Sequence, residues 1–207
     1  MSPAPQDDVR LAAAGPQDLP ALRALIFDDG ANIWNYLPED GIGEHLEDIA
    51  RGRAFGVLAL EQGQLIGAVT FGLSTDFDDY LPEGARGRPQ GYVSEAVVRR
   101  DRVGRGWGTR LLCEALAELE KLGADVVCID RHEENLASAG MMRAAGFVEI
   151  ETYADPQRRP HGSGRTTVCW KVLKPAALPA RIVSGDGSPG PSVFARRRVH
   201  SGPPGRC

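Results

Sequence analysis

Tyr92-Val-Ser-Glu-Ala-Val-Val-Arg-Arg-Asp-Arg-Val-Gly-Arg-Gly-Trp-Gly-Thr-Arg-Leu-Leu112 is the stretch whose reading decides the fold. Tyr92 to Val98 is rich in aromatic and β-branched residues and short enough to be a strand. Further on, the apolar residues Leu111, Leu112, Ala115, Leu116, Leu119 and Leu122 form the stripe of an amphipathic helix, which Gly123 ends. Gly104, Gly106 and Gly108 lie between the two. Lacking a Cβ, they let the backbone turn tightly and leave its N–H groups facing outward. Those groups add to the unpaired donors and the partial positive charge of a helix start. Arg102, Arg105 and Arg110 bring three cations to the same turn. The junction therefore reads as a cradle for an anion, with a pyrophosphate its natural guest.

Two familiar phosphate loops do not fit. A Rossmann turn needs a third glycine three residues after the second, and after Gly106 and Gly108 that position is Leu111. A P-loop needs Gly-Lys-Ser/Thr, and no lysine occurs between residues 75 and 120. What remains is Val103-Gly-Arg-Gly-Trp-Gly108 opening a helix. This resembles the GNAT superfamily of acetyl-CoA-dependent N-acetyltransferases, whose signature is Arg/Gln-x-x-Gly/Ala-x-Gly/Ala. Gly106 and Gly108 match it, and Val103 stands where the family usually has Arg or Gln. The resemblance implies that the main chain of Val103, Gly104, Arg105, Gly106, Trp107, Gly108 and Thr109 holds the CoA pyrophosphate.

Outward from this centre, Val9 to Ala14 reads as a strand. Pro16 to about Phe27 reads as a helix with Asp18 as its cap, and Gly43 to Arg51 as a second helix after a turn at Pro38-Glu-Asp-Gly41. Phe55 to Leu60 and Leu65 to Leu73 are strands joined by the hairpin Glu61-Gln-Gly-Gln64. After the main helix come a strand at Ala124 to Asp130, a helix at Asn135 to Ala145 ended by Gly146, and strands at Phe147 to Tyr153 and Thr166 to Leu173. The order β-α-α-β-β-β-α-β-α-β-β implies an α/β (α+β mixed) fold with helices packed on one sheet. It is also the GNAT-like acyl-CoA N-acyltransferase order, which implies a mixed, mostly antiparallel sheet over about residues 9–174. A second family motif agrees, Asn135 followed by Gly146-Phe147. The resemblance implies that Asn135 contacts the CoA arm. The tyrosine that often serves the family as general acid would fall at Met142, leaving Tyr92 and Tyr153 as alternative donors.

The chain has 207 residues, 42% of them hydrophobic, which suffices for one domain with a real core. Residues 1–8 are expected to be flexible. They hold Pro3, Pro5, Asp7 and Asp8 and no apolar signal-peptide region, and no apolar run approaches the roughly 18 residues of a membrane span. A cytoplasmic protein without membrane contact is expected. Cys113, Cys128, Cys169 and Cys207 lack metal or redox spacing, so no metal is implied. In the segment 175–207, five arginines stand against Asp186 among many Gly and Pro residues, the composition of a disordered tail. The remainder of the chain then carries −8, which with the lack of an aromatic-basic platform makes nucleic acid a poor partner.

Acetyl transfer to an amine needs more than a phosphate cradle. The resemblance implies that a main-chain N–H among Ala96, Val97 and Val98 polarises the thioester carbonyl, an interaction worth about 3 kcal/mol in such sites. A base must take a proton from the ammonium. Glu95 is the nearest carboxylate, although simple strand alternation could instead turn it away from the cleft. His132, after the next strand, is the other candidate, and its bland alternative is an ordinary loop histidine. Asp76, Asp78, Asp79 and Glu83, interleaved with Phe77 and Tyr80, read either as a contact surface for a cationic amine or as a solvated acidic loop. The expected partner is a small-molecule or peptide amine, with acetyl-CoA as cosubstrate and a homodimer compatible with the chain. The alternative is a non-catalytic acyl-CoA-binding module on the same fold, motivated by Val103 and Met142.

Overall fold

The hairpin at Glu61-Gln-Gly-Gln64 sets the first half of the sheet. Gln62 and Gly63 both take positive φ, 50° and 82°, which gives a two-residue turn whose twist matches that of the flanking strands. The computed structural model describes residues 9–81 and 86–174; the expectations for residues 1–8, for Glu83 and for the segment 175–207 lie outside the described residues.

In chain order the elements are β1 (Val9–Ala13), α1 (Leu19–Asp28), α2 (Glu39–Ala50), β2 (Phe55–Glu61), β3 (Gln64–Ser74), β4 (Gln90–Val98), α3 (Trp107–Lys121), β5 (Val126–His132), α4 (Leu136–Ala144), β6 (Val148–Ala154) and β7 (Arg165–Val172). They reproduce the expected order. Seven strands form one sheet in the order β1-β2-β3-β4-β5-β7-β6. Every neighbouring pair is antiparallel except β4 with β5.

Two local readings change. The turn at Pro38–Gly41 is the start of α2, with Pro38 at its N-cap and Glu39 and Asp40 in the first turn, where carboxylates favour the helix dipole. Asp18 does occupy the N-cap of α1 but does not cap it; its carboxylate accepts instead from the Gly15 N–H at 2.9 Å.

Each face of the sheet carries its own core. On one, Leu22, Leu25 and Ile26 of α1 and Ile42, Leu46 and Ile49 of α2 pack on Leu58, Ala68 and Val97. On the other, the stripe Trp107, Leu111, Leu112, Ala115, Leu116 and Leu119 of α3 packs on Val69, Phe71, Val93 and Val127. Burying each such leucine is worth about 1.5–3 kcal/mol, so this stripe anchors α3, and with it the glycine loop, to the sheet.

Two irregularities distinguish β4 from its neighbours. Thr70 lies opposite Glu95 while Phe71 lies opposite Val93, so Ser94 is an extra residue, a β-bulge. In an unbroken strand Val93, Glu95 and Val97 would share one face. The bulge shifts the phase: Val93 stays in the α3 core, while Val97 joins the α1–α2 core and Glu95 falls on that face opposite Thr70. Second, β4 pairs with β5 only at Gln90, Gly91 and Tyr92. Beyond Tyr92 the two strands part.

Candidate functional site

The parting of β4 and β5 opens a cleft with two adjoining cavities. The first, of about 340 Å³, is lined by Tyr92, Ser94 and Glu95 of β4, Asp130 of β5, Tyr36 to Pro38 and His45 around α2, Met142, and Arg158 and Arg159 of the segment before β7. The second, of about 480 Å³, is lined by Val97 and Val98, by Val103, Gly104, Gly106, Trp107, Gly108 and Thr109, by Gly30 and Asn32, and by α4. Asn35, Ala96, Asn135, Ser138 and Met141 border both, so the cavities meet beside Ala96.

The second cavity is built from backbone. Gly106 is the N-cap of α3 with φ 80°, a conformation that glycine adopts without strain, and no side chain caps the helix. The first helical N–H groups therefore remain available to an anion. An ideal Cβ on Gly104 or Gly106 would meet nothing within 4 Å, so the loop borders open space. On Gly108 a Cβ would lie 2.8 Å from Met141 Sδ, which shows how closely α3 approaches α4. Two of the three nearby arginines are engaged: Arg102 pairs with Glu61 at 2.6 Å and Asp101 at 2.8 Å, and Arg110 lies 4.1 Å over the Trp107 ring. The loop thus offers an anion more in free amides than in free arginine charge.

The Arg99 N–H bonds to Ile66 O at 2.8 Å on the β3 side. By the two-residue period of a strand, the amides of Val98 and Ala96 turn to the opposite edge, which has lost its β5 partner. Asn135 caps α4, its Oδ1 accepting from the Ser138 N–H at 3.1 Å. That bond fixes the carboxamide and leaves its Nδ2 donor without a partner among the described residues.

In the first cavity, burial and then the charge of Asp130 push the Glu95 carboxyl up to about 8. Asp130 is itself an ion hub. Arg159 donates to its Oδ1 at 2.7 Å, Arg158 donates to it through both Nη atoms at 3.1–3.2 Å, and the Tyr92 hydroxyl lies 3.3 Å away. Arg159 also holds Thr166 Oγ1 and Trp34 O, which fastens the α1–α2 connection to the β6–β7 segment. Arg158 Nε has no partner among the described residues, and its side chain is 39% exposed. The Tyr92 hydroxyl is held well above the usual tyrosine range by burial and by Asp130. Tyr153 lines neither cavity.

Other expected contacts are absent from the cleft. His132 is 1% exposed and lines neither cavity. Its Nδ1 accepts from the Glu134 N–H at 3.0 Å and its Nε2 lies 2.9 Å from His161 O, so one neutral tautomer satisfies both. With Trp34 against its ring at 4.6 Å, His132 is a rivet between loops, not a base at the cleft. Of the acidic segment, Asp78 and Phe77 are likewise engaged elsewhere. Asp78 accepts from the Gly87 N–H and Gln90 Nε2, Phe77 stacks on Tyr92, and neither Asp76 nor Tyr80 lines either cavity, while the Asp79 side chain lies outside the described residues, as Glu83 does. The residues that sequence reasoning missed are Arg158, Arg159 and His45. The two arginines sit in a Pro- and Gly-rich connection where periodicity carries no signal, and the only available hint was an Arg-Arg pair just before a strand.

A parallel strand pair that parts after three residues, with a glycine-rich helix start beside it, is the frame around which this fold is built. The family model described as acetyltransferase (GNAT) family matches residues 20–147, and the chain belongs to that family. An L-methionine sulfoximine/L-methionine sulfone acetyltransferase of Pseudomonas paraeruginosa is 31% identical over 141 residues, 65% of this chain and 77% of that protein. Among solved structures, a ribosomal-protein-alanine N-acetyltransferase of Brucella melitensis has a TM-score of 0.63 at 24% identity, covering 79% of this chain and 99% of that one. Arabidopsis thaliana NAA60 in complex with acetyl-CoA has a TM-score of 0.65 at 15% identity, covering 80% and 98%. The chain is an acetyltransferase that uses acetyl-CoA. No helix among the described residues is long and apolar enough to cross a membrane.

Proposed function

We propose that the protein transfers the acetyl group of acetyl-CoA to the amino group of a small, amino-acid-like acceptor, by direct attack, with Glu95 as the general base. The observation that carries this reading is the bulge at Ser94, which turns Glu95 onto the face of the first cavity, next to Ala96, where the two cavities meet. An ammonium has no lone pair, so the acceptor must lose a proton before it attacks, and a carboxyl pushed up to about 8 is a well-matched acceptor for it.

The chain's own groups divide the remaining work. The amides of Gly104 to Thr109 hold the donor's pyrophosphate, and Asn135 Nδ2 holds its arm. The open-edge amides of Ala96 and Val98 stabilise the oxyanion, a contribution of about 3 kcal/mol for such a donor. Met142 gives no proton, so the departing thiolate, with a pKa near 8.5 for an ordinary thiol, takes one from solvent.

The acceptor class follows from Arg158. Its Nη atoms are spent on Asp130, and its Nε edge is left for a carboxylate beside the reacting amine. The substrates for which the Pseudomonas paraeruginosa relative is named, both amino acids, agree with this reading. A zwitterion then replaces the cationic amine that the acidic residues Asp76 to Glu83 suggested.

The test is acetyl-CoA-dependent thiol release with amino acids and with their decarboxylated amines, in the parent and in Arg158→Gln. Amino acids are expected to be preferred, and the substitution to raise their KM about 10- to 100-fold while leaving acetyl-CoA affinity unchanged, the loss of one charged hydrogen-bonded contact. Equal use of the decarboxylated amines, or an Arg158→Gln variant indistinguishable from the parent, would overturn the acceptor class.

A further inference from the structure

His45 projects from α2 into the wall of the same cavity as Glu95, and acetyl transfer by Glu95 and the open-edge amides does not employ it. Its Nε2 lies 2.8 Å from Thr70 Oγ1. Thr70 is fully buried on β3 and stands opposite Glu95 in the strand register. Directly opposed residues share a face with their Cβ atoms about 4.5–5.5 Å apart, within reach of a glutamate carboxyl. Glu95 and His45 therefore flank Thr70, the first as its cross-strand neighbour and the second as its hydrogen-bond partner. His45 Nδ1 has no partner among the described residues.

A base that takes a proton in each turnover must also lose it, and Glu95 sits in a strand with the acceptor in front of it. We propose that His45 carries that proton away, through the hydroxyl of Thr70. The inference rests on Glu95 being the base. The acceptor ammonium gives a proton to the Glu95 carboxylate, forming a carboxylic acid and a neutral amine. After acetyl transfer, the carboxylic O–H passes to Thr70 Oγ1 as the Thr70 hydroxyl gives its own proton to His45 Nε2. The resulting imidazolium releases its Nδ1 proton to water. Glu95 is then a carboxylate again, Thr70 is unchanged, and rotation of the hydroxyl with proton exchange on the ring resets the relay.

The imidazole is suited to pass the proton on rather than to keep it. Burial holds its pKa below the usual histidine value, against the opposing charge of Asp48, so the ring is neutral and open at rest, and a proton lent to it by Glu95, which binds that proton more tightly, is a brief uphill state drained by release to water. The charged groups around it are Asp48 on its own helix, Glu95 on β4, Asp130 on β5, and Arg158 and Arg159 before β7. Since Asp130 is already paired with both arginines, Glu95 is the cavity carboxyl left to exchange a proton with it.

The test uses the full chain with His45→Gln, which keeps a hydrogen-bonding group against Thr70 but cannot carry a proton, and Thr70→Val, which keeps the volume and removes the hydroxyl. In dilute buffer the steady-state rate of each is expected to fall roughly tenfold, less than loss of the base itself because water substitutes. Added imidazole should restore it. The single-turnover rate of acetyl transfer and the acetyl-CoA affinity should stay at parent values. Unchanged steady-state rates, or losses that imidazole does not recover, would overturn the relay and leave His45 a packing residue. Glu95→Gln run alongside separates the two readings: if it keeps the parent rate, the base assignment fails; if it is inactive while both relay variants match the parent, the relay alone fails.

Discussion

Replacing Glu95 with Gln removes an ionisable oxygen at nearly constant volume, so its consequences follow from the carboxyl's surroundings. Burial, and then Asp130, move that carboxyl from its ordinary 4.5 to about 8. Ionising it in the folded protein is therefore harder than in water by about 5 kcal/mol, at about 1.4 kcal/mol for each pH unit. The folded state binds this proton more tightly than the unfolded chain does. The resulting stability is fully present below about pH 4.5 and is lost as pH rises through about 8. Glutamine does not titrate, so thermal unfolding of Glu95→Gln against the parent should show a gap in the variant's favour that opens between pH 5 and 8. Activity should move the other way. At pH 7 only about a tenth of Glu95 is ionised, so parental kcat/KM is expected to climb about tenfold between pH 7 and a plateau near pH 9. The variant should lose about 10²- to 10⁴-fold and show no such climb. A variant with parental rate and parental pH profile would refute the base assignment, and a stability gap independent of pH would refute the burial argument beneath it.

Gly106→Ala places an L-residue at φ 80°, a strain of about 1–2 kcal/mol, beside the donor cavity; calorimetry should show acetyl-CoA binding weakened about tenfold with the acceptor KM unchanged. His132→Gln breaks the link from Glu134 N–H to His161 O and should cost about 1–3 kcal/mol in denaturant unfolding, while the pH profile of kcat/KM stays where it was. A shifted profile would return His132 to the chemistry. Gly91→Ala drives a Cβ to 2.9 Å from both Leu119 methyls and 3.1 Å from Val127, overpacking the core by about 1–3 kcal/mol, which should appear as a lowered Tm with unchanged acceptor preference.

The order of elements was legible because the strands and helices carry clean periodicity, and the glycine turn at the start of α3 was legible because three alternate glycines lie directly before an amphipathic stripe. Boundaries shifted by a few residues, as at Pro38, after which α2 begins at Glu39 and not at Gly43. The orientation of Glu95 was not legible. It depends on an unpaired Ser94, and a bulge leaves no mark in a run such as Tyr92 to Val98, where every residue tolerates a strand. Without the bulge, alternation would have sent the carboxyl into the α3 core with Val93. Two readings leaned on charge or residue type alone, and packing gives other work to residues they named. Asp78 is spent holding Gly87 and Gln90, and both ring nitrogens of His132 are spent on loop contacts. Arg158 and His45 were invisible for the opposite reason. Their partners, Asp130 and Thr70, lie 28 and 25 residues away along the chain, and only the folded sheet brings each pair together.

The central claim is that the two cavities deliver an acetyl group and an amine to one point beside Glu95. The most direct test is to saturate the full chain with acetyl-CoA, add an amino-acid acceptor, and measure thiol release and acetylated product together. One thiol released for each N-acetyl amino acid formed, at a rate that depends on the acceptor, is the predicted result. Acetyl-CoA binding with no amine-dependent release would contradict it, leaving a protein that holds the donor without using it.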